Sequence, residues 1–171
     1  MSDGTKYDNP RPLKRYERKL KREPRKLSRK VRKSKNWIKQ KWKVARIHYR
    51  IACMRNDAHH KATTDIVNKA SAIGIETLKV NNMLKHRKLA KALSYSALGG
   101  FLLKLKTKAD ARGIPVEEAD QFYASSKTCS SCGQKKKDLT LSERIYLCSQ
   151  CDASIDRDVN AAINLRQLAV G

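Results

Sequence analysis

The spacing of apolar residues predicts a helical first part of the chain. Between Arg11 and Ala70, apolar side chains recur every three or four positions, which is the period of an amphipathic helix. Pro24 lacks a backbone N–H inside this pattern and predicts a kink or an interruption. Ser34 and Asn36 predict a turn. The pattern therefore predicts two helices that form an antiparallel hairpin.

The second predicted helix carries two neighbouring apolar stripes, and we expect both to be buried as one broad face. Cys53 lies among them and is interpreted as a small core residue rather than a ligand. His59 and His60 are interpreted as packing or capping residues, because adjacent residues point to different helix faces. The stripe residues are Ile38, Trp42, Ala45, Tyr49 and Ala52, widened by Ile47, Ile51 and Met54.

The pattern changes after Ala70. Residues 72–78 are short, apolar and β-prone, and they predict a buried strand with Glu76 embedded in it. Residues 85–112 repeat apolar positions about every fourth residue and predict a helix, while residues 116–123 predict a strand. Residues 156–168 predict a closing helix. This alternation of strands and helices indicates an α/β fold.

The charge of the chain is strongly unbalanced. It has 39 Lys+Arg against 16 Asp+Glu, a formal net charge of +23. Such an excess indicates a polyanionic partner, with nucleic acid favoured and an anionic membrane surface second. No stretch approaches the ~20 apolar residues of a membrane span, and no apolar signal segment follows the start. The sequence predicts a cytoplasmic protein without a membrane partner.

Positive charge is concentrated in the predicted hairpin. Residues 11–44 hold seventeen Lys and Arg but only two acids, Glu17 and Glu23. We expect exposed cations here to contact phosphates. The candidate nucleic-acid-binding residues are Lys14, Arg15, Arg18, Lys21, Arg22, Arg25, Arg29, Lys33, Lys39 and Lys43.

Four of the five cysteines form two C-x-x-C pairs separated by fifteen residues. Each pair places two thiolates at a tight turn, and two such turns can close a tetrahedral four-sulfur site for Zn²⁺. Such a site has no open position, so the zinc is predicted to be structural. Residues 135–146 have the length of a β-hairpin and predict a zinc ribbon. The ligands are Cys129, Cys132, Cys148 and Cys151.

Three carboxylates have two possible roles each. Glu76 lies in an apolar strand, where a carboxylate is costly unless it is paired, hydrogen-bonded or coordinates a metal. Asp156 and Asp158 lie at the start of the closing helix, where acids can act as caps, and Asp158 would also lie at the edge of the sheet. The residues alone leave these alternatives open.

Several segments together resemble the TnpB (OrfB) family of insertion-sequence proteins. The resemblance rests on residues 125–133 (SSKTCSSCG), the second cysteine pair and residues 156–162 (DRDVNAA). The strand with Glu76 and residues 55–61 (RNDAHHK) fit the same pattern.

The resemblance implies a RuvC-like, RNase H-type nuclease domain with an inserted zinc ribbon. Members of the family are RNA-guided DNA endonucleases, so DNA and a guide RNA are the implied partners. Three family acids hold two Mg²⁺ ions; Glu76 matches the second and Asp158 the third. The first belongs to a D-x-G strand before the basic helices, and neither Asp3 nor Asp8 matches it.

This departure leaves three hypotheses. The chain is interpreted first as the carboxy-terminal portion of a TnpB-like protein, one that binds nucleic acid in the nucleoid but is not catalytically complete alone. The second is an active metal-dependent nuclease that forms with another copy or a longer partner. The third is a basic zinc-ribbon RNA-binding protein.

The predicted fold is a truncated RNase H-like domain with four segments. Residues 1–10 form a remnant strand turn, with its turn at Asp3 and Gly4, and residues 11–70 form the basic hairpin. Residues 71–124 and 152–171 form a partial RuvC-like domain, and residues 125–151 form the zinc ribbon.

Overall fold

A computed structural model describes residues 1–7, 12–77, 85, 90, 96–140 and 142–171. The described part has an α/β composition with four helices and four strands. The helices are α1 (Pro12–Ser28), α2 (Lys35–Lys69), α3 (Leu98–Asp110) and α4 (Arg157–Val170). The strands are β1 (Ile73–Glu76), β2 (Val116–Ala119), β3 (Ile145–Leu147) and β4 (Ser154–Asp156).

The chain divides into two compact units. The first unit consists of Met1–Tyr7, Asp65–Lys79 and Leu105–Gly171. The second unit consists of Asp8–Thr64 and Val80–Lys104. The cysteines with C-x-x-C spacing belong to the first unit, and most of the basic segment belongs to the second.

The two predicted helices of the second unit are present, but Pro24 does not end the first. α1 continues from Pro12 to Ser28 with Pro24 inside it, so the predicted interruption is absent. The turn that follows is where the sequence predicts it. Ser34 caps α2, because its Oγ accepts a hydrogen bond from the Trp37 N–H at 3.1 Å. Asn36 lies within the first turn of α2.

A buried polar pair joins α1 to α2. The Gln40 amide donates to the Glu23 carboxylate at 2.9 Å and to the Glu23 carbonyl at 3.1 Å. Glu23 also accepts from Arg22 at 2.7 Å, and both Glu23 and Gln40 are buried. The hydrogen bond from Gln40, followed by that from Arg22, lowers the pKa of Glu23 to about 2. A polar contact therefore fixes how these helices meet.

We expect Glu23 to make the second unit acid-sensitive. Its pKa is lower in the folded chain than in the unfolded chain, so its stabilising effect is complete above about pH 4.5 and is lost as the pH falls toward 2. Glu23→Gln keeps an acceptor for Gln40 but cannot titrate. Urea titrations followed by tryptophan fluorescence give the urea concentration at the unfolding midpoint. Between pH 5 and 2.5, this concentration should decrease less for Glu23→Gln than for the parent. Equal losses would contradict this role.

The buried face of α2 differs from the prediction. Ile51 is buried, but the stripe with Trp42 and Tyr49 is exposed, and Cys53 is also exposed rather than in the core. The residues that face inward form a neighbouring stripe of the same helix. They are Trp37, Gln40, Val44, Ile47 and Ile51. The reason is that Gln40, held by Glu23, determines which side of the helix faces α1.

The first unit contains a parallel pair of strands covered by a helix. β1 pairs with β2 in the register Ile73 to Val116 through Glu76 to Ala119. Ile73, Ile75 and Ala119 are buried. The predicted strand over 116–123 is therefore shorter, because it ends at Ala119. α4 packs against this pair and begins and ends close to where the closing helix is predicted.

Two other predictions concern the ends of described segments. Residues 1–7 contain the predicted turn, with Gly4 at a φ of 82° and its N–H donating to the Met1 carbonyl at 3.0 Å. No strand is present within residues 1–7. α3 accounts for the later part of the helix predicted over 85–112; residues 86–89 and 91–95 lie outside the described residues.

Candidate functional site

The first cysteine pair lies in a knuckle closed by backbone hydrogen bonds. Thr128 and Lys135 form an isolated antiparallel bridge around it. Within the knuckle, the Cys129 N–H donates to the Gln134 carbonyl at 2.8 Å and the Gly133 N–H to the Cys129 carbonyl at 2.9 Å. Gly133 has a φ of 76°, a left-handed conformation that glycine adopts without strain.

The second cysteine pair is enclosed by a β-hairpin. β3 and β4 pair antiparallel, with Tyr146 opposite Ile155, and the Cys148 N–H donates to the Ala153 carbonyl at 2.9 Å between them. The hairpin predicted over 135–146 is thus misplaced, because β3 begins at Ile145 and pairs forward with β4 rather than back toward the first knuckle. The observed hairpin is therefore formed by β3 and β4 and ends at Asp156.

The two knuckles bring four sulfur atoms together. All four Sγ atoms lie within 4.8 Å of one another. The Cys129 and Cys151 sulfurs are 3.7 Å apart, and those of Cys132 and Cys148 are 3.6 Å apart. A tetrahedral ion with metal–sulfur distances of about 2.3 Å has sulfur–sulfur edges of about 3.8 Å. The donor set therefore fits one tetrahedral metal ion with four protein ligands.

The thiols of this cluster differ in acidity. Burial raises the pKa of Cys129, but backbone N–H groups of Cys132 and Ser131 outweigh it and lower the pKa to about 6. Cys151 receives a backbone hydrogen bond from Ala153, yet the neighbouring thiols of Cys132 and Cys148 raise its pKa to about 12. Four negative sulfurs at this spacing repel one another, so a cation is needed to hold all four as thiolates.

Tyr146 connects the knuckles through a small core. Its side chain is buried with Cys129 and Cys148, and Leu139 and Ala153 pack against this group. The Tyr146 hydroxyl lies 3.2 Å from the carbonyl oxygens of Lys127 and Gln134. So small a core gives the knuckles little stability of their own.

The structure corrects the environment predicted for Glu76. β1 is buried at Ile73 and Ile75, but Glu76 is its last residue and is exposed. The Ser125 hydroxyl donates to the Glu76 carboxylate at 2.6 Å. Glu76 is therefore an oriented carboxylate at the carboxyl end of a strand, available to solvent and to ions, rather than a buried one.

Asp156 and Asp158 have separate positions at the start of α4. Asp156 is the cap, and its carboxylate accepts from the N–H groups of Asp158 at 2.9 Å and Val159 at 3.2 Å. Lys6 also donates to Asp156 at 3.1 Å, and this contact, first among several, lowers the Asp156 pKa. Asp158 lies in the first helical turn with its side chain exposed. The capping role thus belongs to Asp156, which leaves the Asp158 carboxylate accessible.

Two asparagines of α4 fasten the segment around Ser125 to the helix. Asn160 and Asn164 are buried one turn apart. Asn164 donates to the carbonyls of Ser125 and Thr128, each at 2.7 Å, and Asn160 donates to Thr128 at 2.7 Å. Ser125 in turn orients Glu76. Sequence reasoning missed this network; the available signal was two amides spaced four apart on a helix.

Gly74 sets the distance between β1 and α4. A Cβ built on Gly74 would overlap the carbonyl oxygen of Leu165. α4 also runs opposite to β1: Leu165 lies over Gly74, while Val170 lines a cavity of about 470 Å³ together with Ala70 and Ser71, which precede β1. The amino end of α4, which carries Asp158, therefore points toward the end of β1 that carries Glu76.

Substituting Gly74 is expected to destabilise the first unit. In Gly74→Ala, the added methyl group meets backbone, so helix or strand must move, which costs about 1–3 kcal/mol or more. Gly100→Ala is the matched control, since a Cβ there meets nothing within 4 Å. Hydrogen exchange of β1 amides should increase for Gly74→Ala and not for Gly100→Ala. Unchanged protection would contradict the close packing.

The predicted nucleic-acid-binding residues are all exposed. The ten candidates lie on α1, on α2 and in the turn that joins them. Six cations surround a shallow groove of about 380 Å³ on α1. The residues lining it are Arg18, Lys21, Arg22, Arg25, Lys26 and Arg29.

His59 of α2 agrees with a packing role, whereas the neighbouring His60 is exposed. His59 contacts Phe101 edge-on at a ring distance of 5.6 Å, and its Nε2 lies 2.9 Å from the Ser96 carbonyl. Burial lowers the pKa of His59. Within the described ranges, the four cysteines are the one group of three or more His, Cys, Asp or Glu that could hold a metal ion.

Comparison with known proteins identifies the family. The family model OrfB_IS605, described as "Probable transposase", matches residues 1–87, and a "Cas12f1-like, TNB domain" model matches residues 99–165. The chain therefore belongs to the OrfB family of insertion-sequence proteins, as the sequence resemblance predicts. Similar proteins carry related names. A "Putative RNA-guided DNA endonuclease" of Streptomyces pristinaespiralis is 39% identical over all 171 residues.

Further relatives agree with this membership. The Escherichia coli protein "Putative RNA-guided DNA endonuclease InsQ" is 36% identical and matches the whole chain. The chain spans 42% and 46% of these two relatives, less than half of their length. A solved Cas12f1–sgRNA–target DNA complex contains a chain of similar fold, with a TM-score of 0.57 and 19% identity over 90% of this chain and 41% of that one. No helix in the described ranges is long and apolar enough to cross a membrane.

Proposed function

We propose that this chain is a nucleic-acid-binding portion of a TnpB-like, RNA-guided DNA endonuclease. The observation that carries the proposal is the exposed basic surface of α1 and α2, which is free of acids between Glu23 and Asp57. Relatives named as RNA-guided DNA endonucleases support DNA and a guide RNA as partners. Binding to DNA would place the protein at the nucleoid.

The metal of the four-cysteine site is proposed to be Zn²⁺. Thiolate ligands at tetrahedral spacing favour zinc among the common divalent ions, and four protein ligands make the role structural. Cys129, Cys132, Cys148 and Cys151 would hold it. The ribbon would then be a rigid base for Ser125 and thus for Glu76.

We further propose that Glu76 and Asp158 belong to one nuclease site of RuvC-like, RNase H type. The proposal is supported by the orientation of α4 against β1 and by the exposure of both carboxylates. In such a site, Glu76 and Asp158 would hold Mg²⁺, which would supply electrostatic stabilisation for phosphodiester hydrolysis. Here Ser125 would orient Glu76, and Asp156 would fix the backbone that carries Asp158.

Binding to DNA or RNA is expected to be insensitive to sequence and steeply dependent on salt. Each neutralised phosphate changes the slope of log affinity against log salt by about 0.9, so replacing Lys14, Arg18, Lys21 and Arg25 with Gln should flatten the slope by about 3. Lys21 should contribute least, because it already pairs with Glu17 at 3.3 Å. The slope is obtained from affinities measured by fluorescence anisotropy between about 50 and 200 mM salt. An unchanged slope would mean that the phosphates contact a surface other than α1.

The matched control removes cations that are already paired. Lys61 and Lys69 lie 2.8 Å from Asp57 and Asp65. Lys61→Gln and Lys69→Gln together should leave the slope within about one of the parent value. An equal effect per removed cation in the two sets would mean that only net charge matters.

A further inference from the structure

The exposed apolar stripe of α2 carries aromatic side chains to which the proposed function assigns no role. Trp42 is 68% and Tyr49 70% exposed, and Ile38 and Ala45 lie on the same side. Trp42 and Tyr49 are seven residues apart, so they lie within about 20° of each other around the helix and about 10 Å apart along it. Single exposed apolar residues are ordinary, but a contiguous stripe with two aromatic rings marks an interaction surface.

Every charged residue close to the stripe in sequence is a cation. Lys39 and Arg46 lie within about 60° of Trp42 around the helix, and both are exposed. No Asp or Glu occurs between Glu23 and Asp57, so no acid of α2 neutralises this face before Asp57. A partner must offer both negative charge and flat apolar groups.

We propose that the stripe binds single-stranded nucleic acid, with unpaired bases stacked on Trp42 and Tyr49 and phosphates held by Lys39 and Arg46. This rests on the proposed nucleic-acid binding and adds a base-contacting surface to it. Stacking on aromatic rings is tolerant of sequence, because every base has a π face.

The charge and the rings together favour this occupant over two others. A protein helix would cover the apolar rings but would need several acids to match the cations beside them. A duplex offers phosphates but keeps its bases stacked inside, so the exposed rings would remain in water. A single strand supplies phosphates and free base faces at the same time.

The experiment compares three ligands of equal length with the full chain: oligo(dT), an abasic single strand and a blunt duplex. For Trp42→Ala with Tyr49→Ala, affinity for oligo(dT) should fall at least about 30-fold, because two stacked bases are lost. Affinity for the abasic strand and the duplex should change less than about twofold, because only phosphate contacts remain there. In a Trp37→Phe background, Trp42 is the sole tryptophan. Its fluorescence should be quenched by oligo(dT) but not by the abasic strand.

Phe122→Ala is the matched control, since Phe122 is an 86% exposed aromatic residue in the first unit. It should bind all three ligands as the parent does. Unchanged oligo(dT) affinity in the double variant would overturn the proposal, as would equal losses on the abasic strand. Loss of self-association alone would assign the stripe to a second copy instead. A parent chain that binds none of the ligands would refute the proposed function itself, and the stacking surface with it.

Discussion

Removing the metal from the four-cysteine site is expected to unfold the segment from Cys129 to Cys151. Structural zinc contributes about 10–16 kcal/mol of apparent binding free energy in small domains, and that energy is folding energy. Here the local core consists mainly of Tyr146, Cys129 and Cys148, so little else holds the two knuckles together. Ser125 and Thr128 should then lose their hydrogen bonds to α4, which extends the effect toward Glu76.

Thiol counting makes this prediction quantitative. Before chelation, only Cys53 should react quickly, since it is exposed on α2 outside the cluster; after chelation, all five thiols should react. Metal analysis should find one zinc per chain for the parent and for Cys53→Ser, and none for Cys148→Ser. Fewer than one zinc with five freely reactive thiols in the parent would reject the site.

The cysteine cluster could be predicted because its geometry is local. A C-x-x-C pair forms its own turn, and the spacing between pairs leaves few ways to close them. The hairpin was misplaced because strand pairing depends on which partner is nearer in the fold. Ile145–Leu147 can pair backward or forward, and the second knuckle brings Ser154–Asp156 beside it.

The buried side of α2 could not be predicted from hydropathy. Its two apolar stripes are adjacent and similar in strength, and the choice between them depends on a polar contact. Gln40 and Glu23 are residues that hydropathy assigns to the surface, yet they are buried together and turn Trp42 outward. Long-range polar pairs of this kind leave no periodic signal in the sequence.

Glu76 and Asp158 are predicted from the family resemblance, because burial does not distinguish them from other carboxylates. Glu76 was expected inside a strand, but β1 ends at that residue. The residues that hold it in place, Ser125 and then Asn164, are polar groups whose partners lie 49 and 39 positions away. Such contacts require the fold to be known.

The chain of 171 residues is expected to cleave DNA poorly or not at all by itself. Two-metal hydrolysis needs ligands that fix both ions at once. Residues 1–171 supply matches for two of the three acids that the family resemblance implies, Glu76 and Asp158. The Asp3 carboxylate is used in its own turn, where it accepts from the Thr5 N–H at 2.8 Å. Glu76 and Asp158 without a third acid would hold the ions less firmly.

A complementation assay tests this prediction with single- and double-stranded DNA in Mg²⁺ or Mn²⁺. The chain would be assayed alone and with a polypeptide that carries the D-x-G strand of a longer relative. Activity restored by the added strand should fall more than about 100-fold with Glu76→Ala or Asp158→Ala, since even outer-shell changes at metal sites cost 10- to 100-fold. Glu117→Gln is the control, because Glu117 is an exposed carboxylate on the neighbouring strand β2. Cleavage by the chain alone that Glu76→Ala abolishes would instead establish a complete site, formed within one chain or between two copies. The dependence of that rate on protein concentration distinguishes these, because a site shared between copies loses activity on dilution.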